Sequence, residues 1–422
     1  FIHDLGSAIQ PMAAGSPFFK SLGLERYGLD WVQPDIPLAH PLDGGAAALF
    51  RSLDATAQSL GRDAAAYRLL MRPLGARWEE LAADILQPML HFPAHPVSLA
   101  RFGVRALWPA ESIIRHWFRQ EPARALLAGL AAHSFLPLSA PGSAAIALVL
   151  GMMGHGVGWP FPRGGAQALT SALVSCLRQY GGEVECNAPV RSLAHLPPAR
   201  AVLLDISPPQ FLQLAGDRLP LRYRDALRRF LHAPGVFKVD YALDAPVPWL
   251  DERCRRAGTV HLGGSAEEVA RSERTLAHGG IPDRPFVLTA QHTPFDSTRA
   301  PAGKHTFWAY CHIPYGSIFD MTSRIEQQIE RFAPGFRDRV LARHLMGPAR
   351  LEAWNPNLAG GDISGGANSL WQLIARPILS ATPYRTPLPG VYLCSASTPP
   401  GGGVHGMCGF HAARAAFSDV FA

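Results

Sequence analysis

A chain of 422 residues exceeds what one ordinary hydrophobic core encloses, so two interleaved or successive domains are expected. Apolar residues make up 48% of it and charged residues 17%, a composition that excludes a disordered chain. The formal charge of +6 comes from scattered arginines and only three lysines, Lys20, Lys238 and Lys304; without a basic stripe it argues for no nucleic-acid partner.

The six cysteines lie far apart with no CxxC pair, which points to a reducing, cytoplasmic compartment. The longest apolar run, residues 144–153, is about half of the roughly 20 residues that a membrane-spanning helix needs. The chain opens Phe1-Ile2-His3-Asp4, with neither methionine nor a signal pattern, and the expectation is that an upstream segment is missing.

Residues 1–45, rich in Pro and Gly, read as extended segments and turns. Apolar spacings of three and four predict helices over residues 47–60, 63–71, 78–90 and 110–132, a cap or substrate-binding layer. At Arg163-Gly164-Gly165 a turn leads into a helix over 166–180. Gly181-Gly182 stops it, and short strands are predicted at 183–186 and 201–205. Aromatic and β-branched runs at 235–243, 286–292 and 305–314 predict a second, mostly antiparallel sheet. Helices are predicted at 321–332 and 337–344. The finish is a strand at 390–397, the run PPGGGVHGMCG and an Ala-rich helix over 411–421.

The single GxGxxG, Gly401-x-Gly403-x-x-Gly406, lies between a strand and a helix, where exposed N–H groups favour a negative or electron-rich ligand. The chain ends too soon afterwards for a first dinucleotide-binding unit. The loop is therefore either a second helix N-terminus aimed at a cofactor or a tight strand-to-helix turn. His91 and His95 have metal-ligand spacing, but Pro93 between them breaks the helix it requires, so no metal is expected. No GxSxG elbow supports hydrolase chemistry. Residues 126–153, with His133 and His155, either line an apolar channel or are plain core, and Trp159 shares that ambiguity.

Taken in order, PRGGAQALTSAL, GGEVECNAPVRSL, GVFKVDYAL and VYLCSASTPPGGGVHGMCGFHAARAAF resemble phytoene desaturase-like proteins of the flavin amine oxidase superfamily. The opening FIHDLGSAIQPMAAGSPFF is similar to the segment just after the FAD fingerprint in that family, whose GxGxxG unit is absent here.

The resemblance implies an α/β fold: a discontinuous Rossmann-like FAD domain lacking its first βαβ unit, and a substrate domain of mixed sheet plus helical layer. It divides the chain into 1–45, after the missing fingerprint; 46–155, a helical substrate or cap region; 156–210, an FAD segment; 211–384, substrate-domain sheet and helices; and 385–422, the C-terminal FAD segment.

It also implies an FAD-dependent oxidoreductase that removes hydride from C–H bonds of an apolar, isoprenoid- or lipid-like small molecule, with peripheral membrane contact left open. Val190 would touch the adenine through its backbone; on residue type alone it reads as a core valine. Ser397, Gly401, Gly403, Val404, His405, Gly406 and Met407 would follow the pyrophosphate, ribityl chain and flavin edge. Ser397 stands where relatives often carry an acid or glycine. Lys238 matches the lysine that amine oxidases place beside flavin N5. By strand alternation it shares a face with Asp240, so a solvent-facing lysine paired with an acid is the competing reading. An amine oxidase and a noncatalytic lipid-binding or assembly protein stand as alternatives. Oligomeric state is not legible.

Overall fold

A computed structural model describes residues 1–75 and 77–421. Its strands are β1 (Trp31–Val32), β2 (Ile36–Leu42), β3 (Gly45–Leu49), β4 (Phe161–Pro162), β5 (Val202–Leu204), β6 (Gly235–Leu243), β7 (Ala257–Leu262), β8 (Val287–Ala290), β9 (His305–Ile313), β10 (Val340–Met346) and β11 (Val391–Leu393). Seven of them form one mixed sheet in the order β10-β6-β9-β8-β7-β2-β3. Within it only β2–β7 is parallel; the other pairings are antiparallel, as the aromatic runs predict.

Both faces of this sheet are covered, so its central strands are buried at every position instead of alternating. On one face Phe237, Val239, Tyr241 and Phe307 pack with Trp249 and with Ile325, Ile329 and Phe332 of the helix Thr322–Phe332. The opposite face meets a helical layer built from Ala64–Gly75, Trp78–Ile85, Ala110–Trp117, Glu121–Ala132 and Ala144–Gly156. Gly129 brings the layer close to the strands: a Cβ there would lie 2.8 Å from His40 Nδ1 and 2.9 Å from His261 Nδ1.

A separate small sheet pairs β5 and β11 in parallel, with Val391 opposite Val202 and Leu393 opposite Leu204. Phe211, Leu219 and Leu227, from the connection that follows β5, form its core. The mixed α/β architecture of the sequence reading is therefore present.

Several elements differ from expectation. Residues 183–186 form no strand; the stretch after the helix Gln167–Gln179 is exposed and irregular, because no described strand runs beside it to complete a ladder. The predicted helix at 337–344 is one tight turn, Arg337–Arg339, followed by β10, whose polar residues suit the sheet edge it forms against β6. β3 takes the start of the predicted 47–60 helix, and the helix proper, Leu53–Ser59, begins at a Ser52 cap that accepts from Ala55 N. The 110–132 helix is broken where the Asp63 carboxylate accepts from Arg119 N and Gln120 N. The C-terminal helix starts earlier than expected, at Met407. Pro96–Ala106 is a helix that the periodicity did not single out.

Candidate functional site

β5 and β11 run parallel and both end at the same place. Asp205, just past β5, and residues 395–397, just past β11, line a cavity of about 660 Å³. Ligands of open α/β sheets lie outside the carboxyl ends of parallel strands in this manner. The large sheet supplies the opposite wall through Lys238, Thr259, Trp308 and Tyr310. Residues 5–12 run along one side, and His133, Leu150 and Trp159 of the helical layer close the apolar end.

Polar and apolar groups share the lining. At the β5 end, Asn357 Nδ2 donates to Asp205 O (2.8 Å), and its Oδ1 accepts from Ser207 N (2.8 Å). Burial raises the pKa of Asp205. The sheet wall is mixed: Val236, Leu288, Trp308 and Tyr310 stand beside Lys238, Thr259 and Thr289. Three buried polar atoms of lining residues, Gln10 Oε1, Thr259 Oγ1 and Trp308 Nε1, have no hydrogen-bond partner among the described residues.

Lys238 is buried, 3% exposed, so it does not face solvent. The acid of the competing reading is nevertheless there: Lys238 Nζ lies 2.5 Å from Asp240 Oδ2, and it sits 5.8 Å over the Trp308 ring. The register opposes Lys238 to Tyr310 and Asp240 to Trp308 on β9. Burial lowers the lysine pKa, and Asp240 opposes that shift. His3 Nδ1 and His344 Nδ1 lie 3.7 Å and 3.8 Å from the Asp240 carboxylate.

Behind the apolar end, His133 Nε2 is 2.9 Å from His261 Nε2, and His40 Nε2 donates to Gly264 O (2.8 Å). Burial pushes His133 down to about 3 and His40 to about 4, and holds His261 well below its ordinary value.

The glycine loop is held by hydrogen bonds within it and by one from Ser16. Met407 N donates to His405 Nδ1 (3.0 Å), whose Nε2 bonds Gly401 O (3.2 Å), while Ser16 Oγ donates to His405 O (2.7 Å). Arg376, fully buried, donates from Nη2 to Ser364 O (3.0 Å) and Gly365 O (2.7 Å) and from Nε to Ala396 O (3.0 Å). Burial lowers its pKa to about 10.

Among the sequence candidates, Lys238, Ser397, Gly403 and Val404 therefore line one cavity. Gly401 and His405 belong to the frame behind them. Gly406, at φ +69°, caps the last helix, and Met407 turns toward the helical layer and a smaller hollow of about 330 Å³. Val190 lies apart, exposed on the irregular stretch. His91 and His95 both turn to the buried Asp84 carboxylate, and no group of three metal-ligating side chains occurs among the described residues.

Sequence reasoning missed Arg376, for which no local signal exists, and Trp308 with Tyr310. The alternation in FWAYCHI places those two on the face opposite Phe307 and Cys311 and could have found them.

No family model matches the chain. It is 29% identical over 354 residues to pyridine nucleotide-disulfide oxidoreductase domain-containing protein 2 of Rattus norvegicus, covering 74% of this chain and 61% of the relative. A limonene dehydrogenase polypeptide of Castellaniella defragrans is 28% identical over 114 residues, 27% of this chain and 20% of that one. Among solved structures, an oxidoreductase from Methanosarcina mazei superposes with a TM-score of 0.62 at 14% identity, over 96% of this chain and 88% of that one. A redesigned putrescine oxidase does so at 0.58 and 14%, over 99% and 88%. The chain thus spans about three fifths of the length of its curated relative and has the mixed α/β fold of the amine oxidases.

Proposed function

We propose that the chain is the larger part of an FAD-dependent oxidoreductase, phytoene desaturase-like, that oxidises C–H bonds of an apolar, isoprenoid- or lipid-like small molecule in the cavity described above. The observation that carries this reading is the convergence of two parallel strand ends, the glycine loop and Lys238 on one cavity whose lining is mostly apolar.

The residues fit the cofactor. The backbone at Gly403 comes to the cavity without a Cβ, at φ +139°. The unpartnered Gln10 Oε1, Thr259 Oγ1 and Trp308 Nε1 suit a site completed by a polar ring system. FAD would be held by the main chain of residues 395–397 and 403–404 and of the 5–12 segment, and when bound it supplies the hydride acceptor.

The chain's own groups do the rest. Trp159, Trp308, Tyr310 and Leu150 shape an apolar seat and exclude water from it. Lys238 keeps a proton donor at the cavity wall, oriented by Asp240. That same pairing leaves Asp240 without spare charge for an amine, which favours a neutral substrate over the amine in the neighbouring fold's name. The dehydrogenase named for limonene supports the same choice.

The test is made on the product of the whole reading frame. FAD is titrated with flavin fluorescence as readout, then terpenoid and primary-amine substrates are added without oxygen and bleaching of the flavin absorbance is followed. Saturable FAD binding with bleaching by the terpenoid is expected. Bleaching by the amine alone overturns the substrate class. Binding of a fluorescent apolar probe without any FAD uptake replaces the enzyme by a noncatalytic lipid-binding protein.

A further inference from the structure

Loss of hydride alone turns a neutral substrate into a cation, so the reaction proposed above needs a base in the same cavity to take a second hydrogen as a proton. Among the described residues, four titratable side chains line that cavity: His133, Asp205, Lys238 and Tyr310. Lys238 is bound to Asp240 and serves as a donor, and burial raises the pKa of Tyr310, which keeps its proton. Asp205 stands at the paired ends of β5 and β11, with the residues assigned to the flavin. His133 stands edge-on to Trp159, 6.1 Å between ring centres, in the seat assigned to the substrate.

The hydrogen bonds behind His133 decide which of its nitrogens accepts. His40, on β2, is the fixed point: its Nε2 lies 2.8 Å from the Gly264 carbonyl, which can only accept, so neutral His40 carries its proton on Nε2 and a lone pair on Nδ1. His261 is its neighbour on β7, one step beyond the pair Ala39 and Val260, with the ring centres 6.4 Å apart. Both Nδ1 atoms are buried without a partner among the described residues, and they lie 2.8 Å and 2.9 Å from the point that a Cβ on Gly129 would occupy. Gly129 is inside the helix Glu121–Ala132, where alanine makes the better helix; what glycine supplies is room for the two imidazoles. Two lone pairs turned to one small space repel, so His261 holds its proton on Nδ1 and presents a bare Nε2 to His133. His133 Nε2, 2.9 Å away, is then the donor of that contact, and the lone pair of His133 is on Nδ1. That atom has no hydrogen-bond partner among the described residues, on a ring that lines the cavity.

We infer that His133 Nδ1 is the base of the reaction, with His261 and His40 behind it as positioning residues that fix its tautomer and share the charge it takes up. The inference rests on the oxidation of a neutral apolar substrate proposed above. Hydride, carrying the electron pair of its C–H bond, leaves one carbon for oxidised flavin. The adjacent carbon gives a proton to His133 Nδ1, and the electron pair of that second C–H bond becomes the new C=C bond. The two electrons lost by the substrate are then on the flavin, and one proton is on the histidines. From His133 the charge is shared through Nε2–H with His261, whose Nδ1–H faces the His40 lone pair, and His40 lies in the field of the Glu268 carboxylate. Burial holds all three rings neutral at neutral pH before the reaction, so the acceptor is ready. A C–H bond beside a carbon that is losing hydride is acidic enough to protonate even a buried imidazole.

The experiment uses the product of the whole reading frame. Without flavin, NMR of isotope-labelled histidine reads the tautomers: protons on Nε2 of His133 and His40 and on Nδ1 of His261 are expected, and His261→Phe should leave His133 a mixture of both forms. With FAD and a terpenoid substrate, without oxygen, His133→Gln can still donate to His261 but is no base. It should slow flavin bleaching about a hundredfold or more while FAD titrates as in wild type. His133→Ala should lose as much, and added imidazole should restore part of the rate, which a merely structural role would not allow. A proton on His133 Nδ1 in the wild type overturns the inference, as does bleaching of His133→Gln at the wild-type rate. Wild-type protein that no terpenoid bleaches is a failure of the reaction proposed above, told apart because His133→Gln then has no rate to lose, and the role of His133 falls with it.

Discussion

His133 Nε2 and His261 Nε2 lie 2.9 Å apart, so one ring must donate and the other accept, and the contact requires that they not both be protonated. His40 and His292, likewise buried, are pushed down to about 4, and His133 to about 3. A histidine in the unfolded chain titrates near 6.5, so below that pH the unfolded state takes up protons that the folded state refuses. Stability is then full above about pH 6.5 and falls as the pH drops toward 4. Each such histidine removes about 2 kcal/mol at pH 5, from the lag between the two pKa values. Thermal melts at pH 8, 6.5 and 5 should show a steep loss over the last interval; equal melting temperatures at pH 8 and 5 would rule this out.

Lys238 and Asp240 form a buried pair, and removing one partner strands the other. Lys238→Met should cost about 3 kcal/mol or more, because the Asp240 carboxylate is left buried with, among the described residues, only His3 and His344 within ion-pair reach. Lys238→Met combined with Asp240→Leu should recover much of that loss. Urea unfolding of the two single variants and the double variant measures the coupling. Additive losses would mean that the pair is not a unit.

Gly406 sits in the left-handed region, and a Cβ there would fall 2.5 Å from Phe19 Cε1 and 2.9 Å from Phe18 Cδ1. Gly406→Ala should therefore destabilise the protein by about 3 kcal/mol, with or without flavin, through backbone strain and collision together. Gly409, on the same helix, has open space where its Cβ would be, and Gly409→Ala should be neutral or stabilising by about 0.5–1 kcal/mol. Differential scanning of both variants separates a strained cap from a generally glycine-intolerant loop.

Arg376 ties Ala396, Ser364 and Gly365 together through their carbonyl oxygens. Arg376→Leu leaves these acceptors buried and unpaired and should cost about 3 kcal/mol or more. Hydrogen exchange should quicken across residues 395–408 before it does so in β6 or β9. Uniform acceleration over the whole chain would assign Arg376 to global stability instead of to the cavity wall.

The large sheet was legible because β6 and β9 carry dense runs of aromatic and β-branched residues, and β6 occupies the very bounds that GVFKVDYAL suggests. β10 was not, because at an exposed sheet edge Arg343 and His344 imitate the polar face of a helix. β3 was lost for a related reason: its alanines favour helix locally, and only pairing with β2 makes them a strand. The glycine loop was visible as a motif, whereas its support was not. Arg376 and Ser16 reach it from distant parts of the chain, and no spacing within a window records that. Burial of Lys238 could not be read from alternation, which says which residues share a face but not whether that face is wet.

The strand order has a consequence for synthesis. β2 lies parallel to β7, Ile36 opposite Ala257, so the early strands join the large sheet only across more than two hundred residues. A nascent chain must therefore carry the apolar β2–β3 hairpin without its neighbour until β7 has left the ribosome, and closure across so long a loop is slow. Through that interval an unpaired strand edge is open to holdase chaperones or to other nascent copies, so yield in a cell should respond to growth temperature and chaperone supply more steeply than the melting temperature of the finished protein suggests.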